Sequence, residues 1–340
     1  MRAPGFWQQR DPGLTARLAM ALLAPAAAVY GGVTARRMAR PGARVGAPVI
    51  CVGNFVAGGA GKTPAAISLA AHLARRGLRP AFVSRGYGGA LSRQGAVTQI
   101  DPAVHDARLA GDEPLLLAAA APTFVARDRL AGARAAVGAG ADVIILDDGL
   151  QNPALHKDLA LAVVDGAVGV GNGRVLPAGP LRAPLSAQWP AVHAVVVIGA
   201  GDAGQAIARE AQARGKPALR ASLRPDAAVA ARLTGRRVLA LAGIGRPEKF
   251  VATLREIGAE VVDLAAFGDH HPYRPADLAP LAARAAREGL TLVTTAKDAA
   301  RMAGDASLAP VLAQMTVLPV TLTFADDGAL DALLAKVLAR

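Results

Sequence analysis

Short apolar runs alternate with amphipathic stretches along most of this chain, and the pattern predicts strands alternating with helices. Candidate strands in the first two-thirds span 48–53, 80–84, 123–126, 143–146, 160–165 and 194–198, and helical patterns between them span 64–76, 113–120 and 129–139. Such alternation is typical of right-handed βαβ units in a parallel sheet. We therefore expect ligands to bind at the carboxyl ends of the strands.

A second α/β series begins near residue 236. Its strand patterns span 238–242, 261–265 and 291–295, its helical patterns span 248–257 and 276–288, and a strand at 316–323 and a helix at 329–338 follow. A polar, proline-containing stretch at 222–236 separates the two series. We expect one domain over residues 45–225, a smaller α/β domain over 236–340, and an N-terminal segment over 1–44.

Residues 49–64 read VICVGNFVAGGAGKTP, an apolar run, a glycine-rich turn and the start of a helix. This order is typical of a phosphate-binding loop, whose backbone N–H groups surround the phosphates while a lysine reaches the β and γ oxygens and a threonine binds Mg²⁺. The pattern lacks the first glycine of GxxxxGK[ST], and its glycine pair resembles the loops of ParA-like and MinD-like ATPases. The predicted nucleotide-binding residues are Val56, Ala57, Gly58, Gly59, Ala60, Gly61, Lys62 and Thr63.

Asp147 and Asp148 end the apolar run VIIL at 143–146. An acidic residue at the end of such a strand holds Mg²⁺, directly or through water, opposite a phosphate loop. Successive strand residues point to opposite sides, so the two carboxylates are expected to differ in role. Asp147 is the better candidate for the metal, together with Thr63.

Three further motifs could contribute to a site. Asp112 in GDEP is typical of a helix N-cap, and Arg85 in SRGYGG could hold an anion. The sequence DHH at 269–271 could provide metal ligands, a general base pair or a loop, and the lack of a further Cys or His nearby disfavours a metal.

Lys297 and Asp298 in TTAKD lack the spacer of the guanine-binding NKxD element, which argues against a GTPase. Residues 166–188, rich in Gly and Pro, form a loop too long to be a simple connection.

Composition restricts the partners of the protein. The chain has 340 residues, 53% of them hydrophobic, and a net charge of +12, which favours anionic partners. Aromatic residues make up only 4%, so stacking on single-stranded nucleic acid is not indicated. The single cysteine, Cys51, excludes an internal disulfide, fits a reducing compartment, and is expected to pack in the core.

Residues 18–33 carry no charge and lie between arginines. The run resembles a secretory signal, but export would separate the phosphate loop from cytosolic ATP. It is shorter than the ~20 residues that cross a bilayer, and Pro25 interrupts it. We expect an amphiphilic helix or a helical hairpin lying on the inner membrane face, with a buried packing helix as the alternative.

Taken together, the motifs GGAGKTP, SRGYGG, GDEP, DDGLQ, GNGRVLPAGPLR, AGIGRPEKF, DHHPY and TTAKD resemble the tetraacyldisaccharide 4′-kinase family of lipid A biosynthesis, from the N-terminal helix nearly to the C-terminus. The resemblance implies a P-loop NTPase-like fold and ATP-dependent phosphorylation of a lipid substrate, an acylated glucosamine disaccharide 1-phosphate, with Mg²⁺. It places the enzyme on the cytoplasmic face of the bacterial inner membrane, as a peripheral or monotopic protein that binds no nucleic acid.

The resemblance also implies roles for individual residues. Asp112 accepts the proton of the sugar hydroxyl with support from His270, which requires the two domains to close. Lys62 and Asp148 act in catalysis, and Asp147 and Asp148 join Thr63 at the metal. The residues implied for the substrate are Arg85, Tyr87, Glu113, Gln151 and Arg182.

Two departures from the family pattern stand near the substrate residues: Asn152 where the family often has His, and Ala183 where it often has Glu.

Two alternative functions stay open on the sequence. A ParA-like or MinD-like ATPase switch usually has a lysine before the glycine pair, where this chain has Ala57. A cytosolic small-molecule kinase or ATP-dependent ligase would use the same loop.

Overall fold

The computed structural model describes residues 4–9 and 13–338, and its described elements form one sheet of nine strands and one of four. In the large sheet the order is β13-β8-β7-β6-β1-β5-β2-β4-β3, and in the small sheet it is β10-β9-β11-β12. Every pair in the small sheet is parallel, and only the outermost strands of the large sheet, β13 and β3, are antiparallel to their neighbours. The predicted α/β class with a large parallel sheet is confirmed.

The strands of the large sheet are β1 (Val49–Gly53), β2 (Pro80–Ser84), β3 (Thr98–Gln99), β4 (Thr123–Val125), β5 (Val143–Asp147), β6 (Leu159–Asp165), β7 (Ala194–Ile198), β8 (Ala218–Pro225) and β13 (Val320–Phe324). Those of the small sheet are β9 (Arg237–Ala242), β10 (Glu260–Ala266), β11 (Thr291–Thr295) and β12 (Thr316–Leu318).

The helices are α1 (Leu14–Met38), α2 (Lys62–Arg75), α3 (Ala107–Ala110), α4 (Asp112–Ala118), α5 (Arg129–Gly138), α6 (Leu185–Gln188), α7 (Asp202–Ala213), α8 (Ala227–Leu233), α9 (Pro247–Glu256), α10 (Pro275–Glu288), α11 (Ala296–Met302), α12 (Ala309–Leu312) and α13 (Asp327–Leu338).

Strand β1 lies in the middle of the large sheet, between β5 and β6. All its residues are buried, as in the neighbouring strands, because helices cover both faces of the sheet. One face packs against α2 and α13, through residues such as Leu69 and Leu330, and the other packs around Trp189. The carboxyl ends of β1, β5 and β6 therefore meet at one edge of the sheet, where the phosphate loop begins.

The predicted strand at 316–323 is wrong in detail, because the structure divides it between the two sheets. Thr316–Leu318 pairs with β11 in the small sheet, whereas Val320–Phe324 pairs with β8 in the large one. Pro319 separates them, and its missing N–H suits a position where a ladder ends. We expected residues 236–340 to form the smaller domain, but β13 and α13 pack with the large sheet.

The stretch at 222–236, predicted as a boundary, contains the end of β8 and all of α8. Strand β8 lies next to the edge strand β13, and its buried positions alternate with exposed arginines such as Arg220. This alternation with a period of two is weaker than a continuous apolar run. Strand β3 and helix α7 were also not predicted.

Helix α1 has 25 residues and extends beyond the charge-free run at 18–33, since the helical conformation continues through the flanking arginines. Among the described residues, one helix is long and apolar enough to cross a membrane by length and composition alone, and that helix is α1. Three residues of α1 are buried (Met20, Ala27 and Gly31), and Gly31 lies against Pro184 and Val175.

Charged contacts join the small sheet to the large one beside β1. The carboxylate of Asp165, at the end of β6, lies 2.8 Å from Arg246 and accepts a hydrogen bond of 3.0 Å from Lys249. Both cations belong to the motif AGIGRPEKF, which leads into α9. The same segment brings Gly245 close to Gly59 in the phosphate loop, so the two parts of the molecule face each other there.

Candidate active site

The phosphate loop joins β1 to α2, as predicted. Gly58 and Gly61 have φ angles of +111° and +89°, which favour glycine, and Lys62 is the first residue of α2. The Lys62 side chain is buried, and its Nζ donates to the carbonyl of Gly58 at 3.3 Å. Gly58 and Gly59 are exposed, so this part of the loop backbone is accessible to a ligand.

Val56, at the position where a generic loop has glycine, forms an antiparallel bridge with Leu181. The adjacent Ala57 N–H donates to Pro180 at 2.7 Å, and the Arg182 N–H donates to Phe55 at 3.0 Å. The first half of the loop is therefore extended and needs no glycine. The long 166–188 segment holds it in place.

Asp148 is tied to cations. It has a φ of +51°, a conformation uncommon outside glycine, and accepts two hydrogen bonds from the Arg182 guanidinium at 2.7 and 2.8 Å. Lys62 Nζ lies 3.7 Å away. Burial raises the pKa of the Asp148 carboxyl, but Lys62 and Arg182 outweigh burial and lower the pKa below its ordinary value.

Asp147 is the opposite case. Its side chain is 1% exposed, Ser84 Oγ donates to its Oδ2 at 3.1 Å, and its Oδ1 has no hydrogen-bond partner among the described residues. Burial raises the pKa of Asp147 to about 7, and repulsion from Glu113 and Asp148 adds to the effect. A buried carboxylate oxygen without a partner is suited to receive a cation.

These donors fit a hard cation such as Mg²⁺ only in part. Thr63, in the first turn of α2, and Asp147, at the end of β5, are candidate oxygen ligands, whereas both Asp148 oxygens already accept from Arg182. Within residues 4–9 and 13–338, no group of three His, Cys, Asp or Glu side chains forms a metal cage. A cation here would take its other ligands from a bound phosphate and water.

Asp112 is the first residue of α4, and Gly111 rather than Asp112 is the N-cap. Its Oδ1 accepts from the Glu113 N–H at 2.9 Å. Its Oδ2 contacts His270 Nδ1 at 3.1 Å and accepts from Arg301 Nε at 2.8 Å, and Lys297 Nζ lies 3.8 Å away. Burial raises the pKa of Asp112, but the His270 hydrogen bond and the charges of Lys297 and Arg301 hold it well below its usual range.

His270 comes from the small-sheet side, in the loop between β10 and α10. Its φ is +58°, and its ring meets the edge of Tyr87 at a centroid distance of 5.6 Å. Backbone strain of this kind is concentrated at functional sites. The contact with Asp112 joins residues 158 positions apart in sequence, and it brings together two motifs that the resemblance assigned to one site.

Glycines allow the Tyr87 loop to pack directly on the turn before Asp112. A Cβ at Gly89 would lie 2.5 Å from the Gly111 nitrogen, and a Cβ at Gly111 would lie 2.6 Å from the Tyr87 carbonyl. No other residue fits these positions without moving the backbone. The SRGYGG and GDEP motifs thus form one structural unit that fixes the start of α4.

The other predicted residues lie around these two centres. Arg85 and Tyr87 are exposed, and the Glu113 carboxylate lies 3.2 Å from Lys297. Gln151 donates to Asn54 and to Gln188, both at 2.8 Å, so its amide supports the phosphate loop. The two residues that depart from the family pattern, Asn152 and Ala183, have structural roles here. The Asn152 side chain accepts a hydrogen bond from the Ala154 N–H, and Ala183 is fully buried.

Sequence reasoning missed several residues of the site. It gave no role to Lys297 or Arg301, although they stand four residues apart in α11 and so lie on one helix face. Helical spacing after the β11 strand end could have identified that pair. The Asp165 contacts with Arg246 and Lys249 have no local signal, because three elements must first fold together.

A glycine-rich loop at the end of the central strand, acidic residues on the neighbouring strand and an Asp–His pair between two sheets define an enzyme of the phosphate-loop class. The sequence profile of the family described as tetraacyldisaccharide-1-P 4′-kinase matches residues 19–339. The chain belongs to this kinase family.

Named relatives agree with that assignment. A tetraacyldisaccharide 4′-kinase of Methylobacterium sp. (strain 4-46) is 58% identical over 329 residues, which are 97% of this chain and 95% of the relative. One of Bradyrhizobium sp. (strain BTAi1 / ATCC BAA-1182) is 51% identical over 339 residues, covering 100% and 96%. These matches extend over both sheets and the N-terminal helix.

The fold has a counterpart among solved structures. A crystal structure of LpxK from Aquifex aeolicus, described as an "apo" form in complex with ATP, superimposes with a TM-score of 0.69 at 23% identity. The superposition covers 94% of this chain and 99% of that one. It confirms the predicted fold.

Proposed function

We propose that this enzyme transfers the γ-phosphoryl group of ATP to the 4′-hydroxyl of a tetraacylated glucosamine disaccharide 1-phosphate at the cytoplasmic face of a bacterial inner membrane. The observation that carries the proposal is the contact between Asp112 and His270 beside the phosphate loop. An ATPase switch needs the loop and the metal, but it has no need of a base for a second substrate's hydroxyl. The name of the Methylobacterium relative and the ATP in the LpxK crystal structure from Aquifex aeolicus agree with the proposal.

The loop and its neighbours supply the nucleotide site. The exposed N–H groups at Gly58 and Gly59 surround the phosphates, and Lys62 contributes a positive charge. Lys62 contacts Gly58 and Asp148 here, so it is aimed at the loop. Phosphoryl transfer depends mainly on alignment and on neutralising charge, which these groups provide.

Mg²⁺ would be held by Thr63 and Asp147, and when bound it would neutralise charge on the phosphate oxygens. Burial makes the charged form of Asp147 unfavourable and so raises its pKa, and a bound cation would stabilise that charged form. Asp148 keeps Arg182 and Lys62 in place. We therefore assign the metal contact to Asp147 and a supporting role to Asp148.

The Asp112–His270 pair would remove the proton of the sugar hydroxyl as the oxygen attacks phosphorus. A carboxylate alone is a weak base toward an alcohol, and a paired imidazole allows the proton to be shared. The pair exists only when the small sheet lies against the large one, and the same packing brings Gly245 close to Gly59 of the phosphate loop. Closure of the two parts would thereby limit wasteful hydrolysis of ATP.

The sugar substrate would approach past Arg85 and Tyr87, which are exposed on the side of His270. Within the described residues Arg85 makes no ion pair or hydrogen bond, so its charge is available to an anionic headgroup. Tyr87 offers a ring face or edge against which a sugar could pack. Substrate contact by Glu113 and Gln151 is less direct, since their polar atoms are bonded within the protein.

Helix α1 would place the enzyme on the membrane surface. Its exposed side includes Leu14 (75% exposed) and Leu22 (83%), and Arg36 and Arg37 stand in the last turn. Apolar side chains facing outward and basic residues at one end are typical of a helix on an anionic lipid surface. The acyl chains of the substrate could then stay in lipid while its headgroup reaches the phosphate loop.

The activity can be tested by incubating the purified enzyme with γ-labelled ATP and detergent-dispersed disaccharide 1-phosphate. We expect the label in the lipid product and a second phosphate on the 4′ position by mass spectrometry. Hydrolysis of ATP with no label in lipid would favour the ParA-like or MinD-like switch. Label in water-soluble acceptors alone would favour a small-molecule kinase.

The membrane contact is tested with the double variant Leu14→Ser/Leu22→Ser, compared with Val104→Ser, which is also exposed but lies far from α1 in sequence. We expect the double variant to bind vesicles of anionic phospholipid several-fold less well, because it loses apolar area in the lipid. Activity on detergent-dispersed substrate is expected to stay near normal. Equal vesicle binding by both variants would assign α1 to packing alone.

A further inference from the structure

A cluster of three charges lies where the small sheet meets the large one beside the phosphate loop. Asp165 ends β6, and its side chain is only 9% exposed. Its Oδ1 lies 2.8 Å from Arg246 Nη1, and its Oδ2 accepts from Lys249 Nζ at 3.0 Å. The aspartate belongs to the large sheet, whereas both cations belong to the segment 243–249, which joins β9 to the first turn of α9. The cluster therefore crosses from one part of the molecule to the other.

Close glycine packing fixes the backbone that carries Asp165. A Cβ at Gly166 would lie 2.4 Å from the Gly199 carbonyl oxygen, and a Cβ at Gly204 would lie 2.6 Å from the Gly166 Cα. The carboxylate itself is oriented from within the turn, because its Oδ1 accepts from the Ala167 N–H at 3.0 Å. The turn after β6 is thus held against α7, and Asp165 is a fixed point of the large sheet.

The 243–249 segment is anchored in the small-sheet side at its other end. The Gly243 N–H donates to the buried carboxylate of Asp298 at 3.0 Å, and the Gly243 carbonyl accepts from Arg301 Nη1 at 2.8 Å. Two residues further on, a Cβ at Gly245 would lie 3.7 Å from the Gly59 nitrogen. The segment therefore reaches from the interior of the small-sheet side to the phosphate loop.

The small-sheet side contacts the large part on both sides of β1. One contact is at Asp165, on the neighbouring strand β6. The other is at Asp112, which Arg301 contacts at the start of α4, and α4 packs against β2 and β4 beyond the other neighbour of β1. A part held at one contact can turn about it, whereas two contacts on opposite sides of β1 fix its orientation over the phosphate loop.

The charges of the cluster favour the same arrangement when a nucleotide is bound. Burial raises the pKa of Asp165, but Lys249 and Arg246 outweigh burial and lower the pKa below its ordinary value, so the carboxylate is charged. One carboxylate and two cations leave a net positive charge beside the loop. If the 243–249 segment moved away, Asp165 would lose both cations and would repel the phosphates of a bound nucleotide.

We propose that Asp165 is a positioning residue that, through Lys249 and Arg246, holds the 243–249 segment beside the phosphate loop and so keeps the small sheet closed over bound ATP. This inference rests on the proposed kinase function, because ATP is the ligand over which the two parts close. In this role Asp165 touches neither ATP nor the sugar. It acts on the β6 side of β1 as the contacts at α4 act on the other side.

A role in attracting phosphate makes the opposite prediction for Asp165→Asn. If Arg246 and Lys249 served only as charges for the nucleotide, removal of the carboxylate would free them, and ATP would bind as tightly as before or more tightly. If Asp165 holds the segment, the same variant loosens it although the local charge becomes more positive. We expect Asp165→Asn to bind a non-hydrolysable fluorescent ATP analogue roughly five- to twentyfold more weakly. Unchanged or tighter binding would overturn the proposal.

A double-mutant cycle with Lys249→Gln completes the test. Lys249→Gln is expected to weaken binding of the analogue several-fold, and the double variant is expected to bind no more weakly than Asp165→Asn alone, because the lysine acts through the aspartate. Lys249→Arg keeps a cation and should recover most of the affinity. Arg255→Gln, exposed in the last turn of α9, removes the same charge and should bind normally. Additive losses in the double variant would overturn the proposal.

The distance between the two parts is a second measurement, which does not depend on catalysis. Spin labels at Gln205→Cys in α7 and Glu256→Cys in α9 are placed at exposed positions, while Cys51 is buried. With the analogue bound, we expect one narrow distance distribution, and Asp165→Asn should broaden it toward longer distances. Equal distributions would overturn the proposal. If Asp165→Asn fails to fold by thermal unfolding, Lys249→Gln replaces it in both measurements.

Failure of the proposed function gives a different result. If the enzyme transfers no label to the lipid, while binding of the analogue and the distances respond as described, the lipid substrate is wrong and the role of Asp165 stands. If label transfer is normal and Asp165→Asn changes neither binding nor distance, only the role of Asp165 is overturned.

Discussion

Two buried aspartates, Asp147 and Asp112, stand on opposite sides of the same site and differ in almost every electrostatic respect. Asp147 has one hydroxyl donor and an oxygen with no partner among the described residues, and its pKa is raised to about 7 by burial. Asp112 is nearly as buried, yet three cationic or imidazole groups surround it and its pKa lies well below the usual range.

The difference lies in where each aspartate obtains its positive charge. The small-sheet side supplies Lys297, Arg301 and His270 to Asp112 when the two parts pack together. Among the described residues no cationic side chain forms an ion pair with Asp147; Lys62 and Arg129 attract its charge from further away, and the acidic Glu113 and Asp148 repel it. We infer that the Asp147 carboxylate binds a cation that enters the site with the nucleotide. The Asp112 carboxylate already has its cationic partners once the small sheet packs against the large one.

The largest expected effect comes from Asp112→Asn. Loss of the carboxylate leaves His270 without its orienting partner, and we expect label transfer to fall by roughly 10²- to 10⁴-fold, the usual contribution of general acid–base catalysis. ATP binding, measured by fluorescence of a nucleotide analogue, should stay within a few-fold of normal because the phosphate loop is unchanged. Near-normal transfer by this variant would remove the base from this side of the site.

A smaller effect is expected on stability when Asp147 is replaced by Asn. Because the folded-state pKa of Asp147 is raised, the native protein holds a proton that the unfolded chain has released between about pH 4 and pH 7. The free energy of unfolding therefore falls as the pH rises through this window. Without Mg²⁺ and ATP, Asp147→Asn should be the more stable protein at pH 8, by roughly 2 to 4 kcal/mol, and the gain should shrink toward pH 4.

Asp142→Asn provides the control for that pH dependence. Asp142 lies at the surface with its side chain 32% exposed, and its hydrogen bonds with Arg79 lower its pKa to about 2. Its replacement should change stability by a nearly constant amount between pH 5 and pH 8, as followed by urea unfolding. A gain for Asp147→Asn that does not grow with pH would contradict the raised pKa of the buried carboxyl.

The sequence predicted the Asp147 side of the site better than the Asp112 side, and the reason is physical. A strand, a glycine turn and Lys62–Thr63 are adjacent in the chain, and Asp147 follows an apolar run, so local patterns suffice. The local sequence around Asp112 indicates only a helix N-cap, and the catalytic role of Asp112 was implied by the resemblance to the kinase family. Arg301 acts through contacts with residues 58 and 189 positions away, which no local pattern encodes.

The fold shows the same limit. The apolar strands of the large sheet and most of the helices were predicted, since each carries its own periodicity. The sheet to which a strand belongs is a long-range property, and for that reason Val320–Phe324 was placed with the wrong sheet. Helix α1 extends beyond the charge-free run at 18–33 because arginines continue a helix as well as they end an apolar run.

The most direct test of the contrast between the two aspartates is a Mg²⁺ titration of label transfer by Asp147→Asn and Asp112→Asn. If Asp147 receives its charge from a cation that accompanies ATP, its variant should need several-fold more Mg²⁺ and should regain much of its rate at high concentration. The Asp112→Asn defect should stay constant at every Mg²⁺ concentration. Rescue of Asp112→Asn by Mg²⁺, or an unchanged Mg²⁺ requirement in Asp147→Asn, would contradict the account.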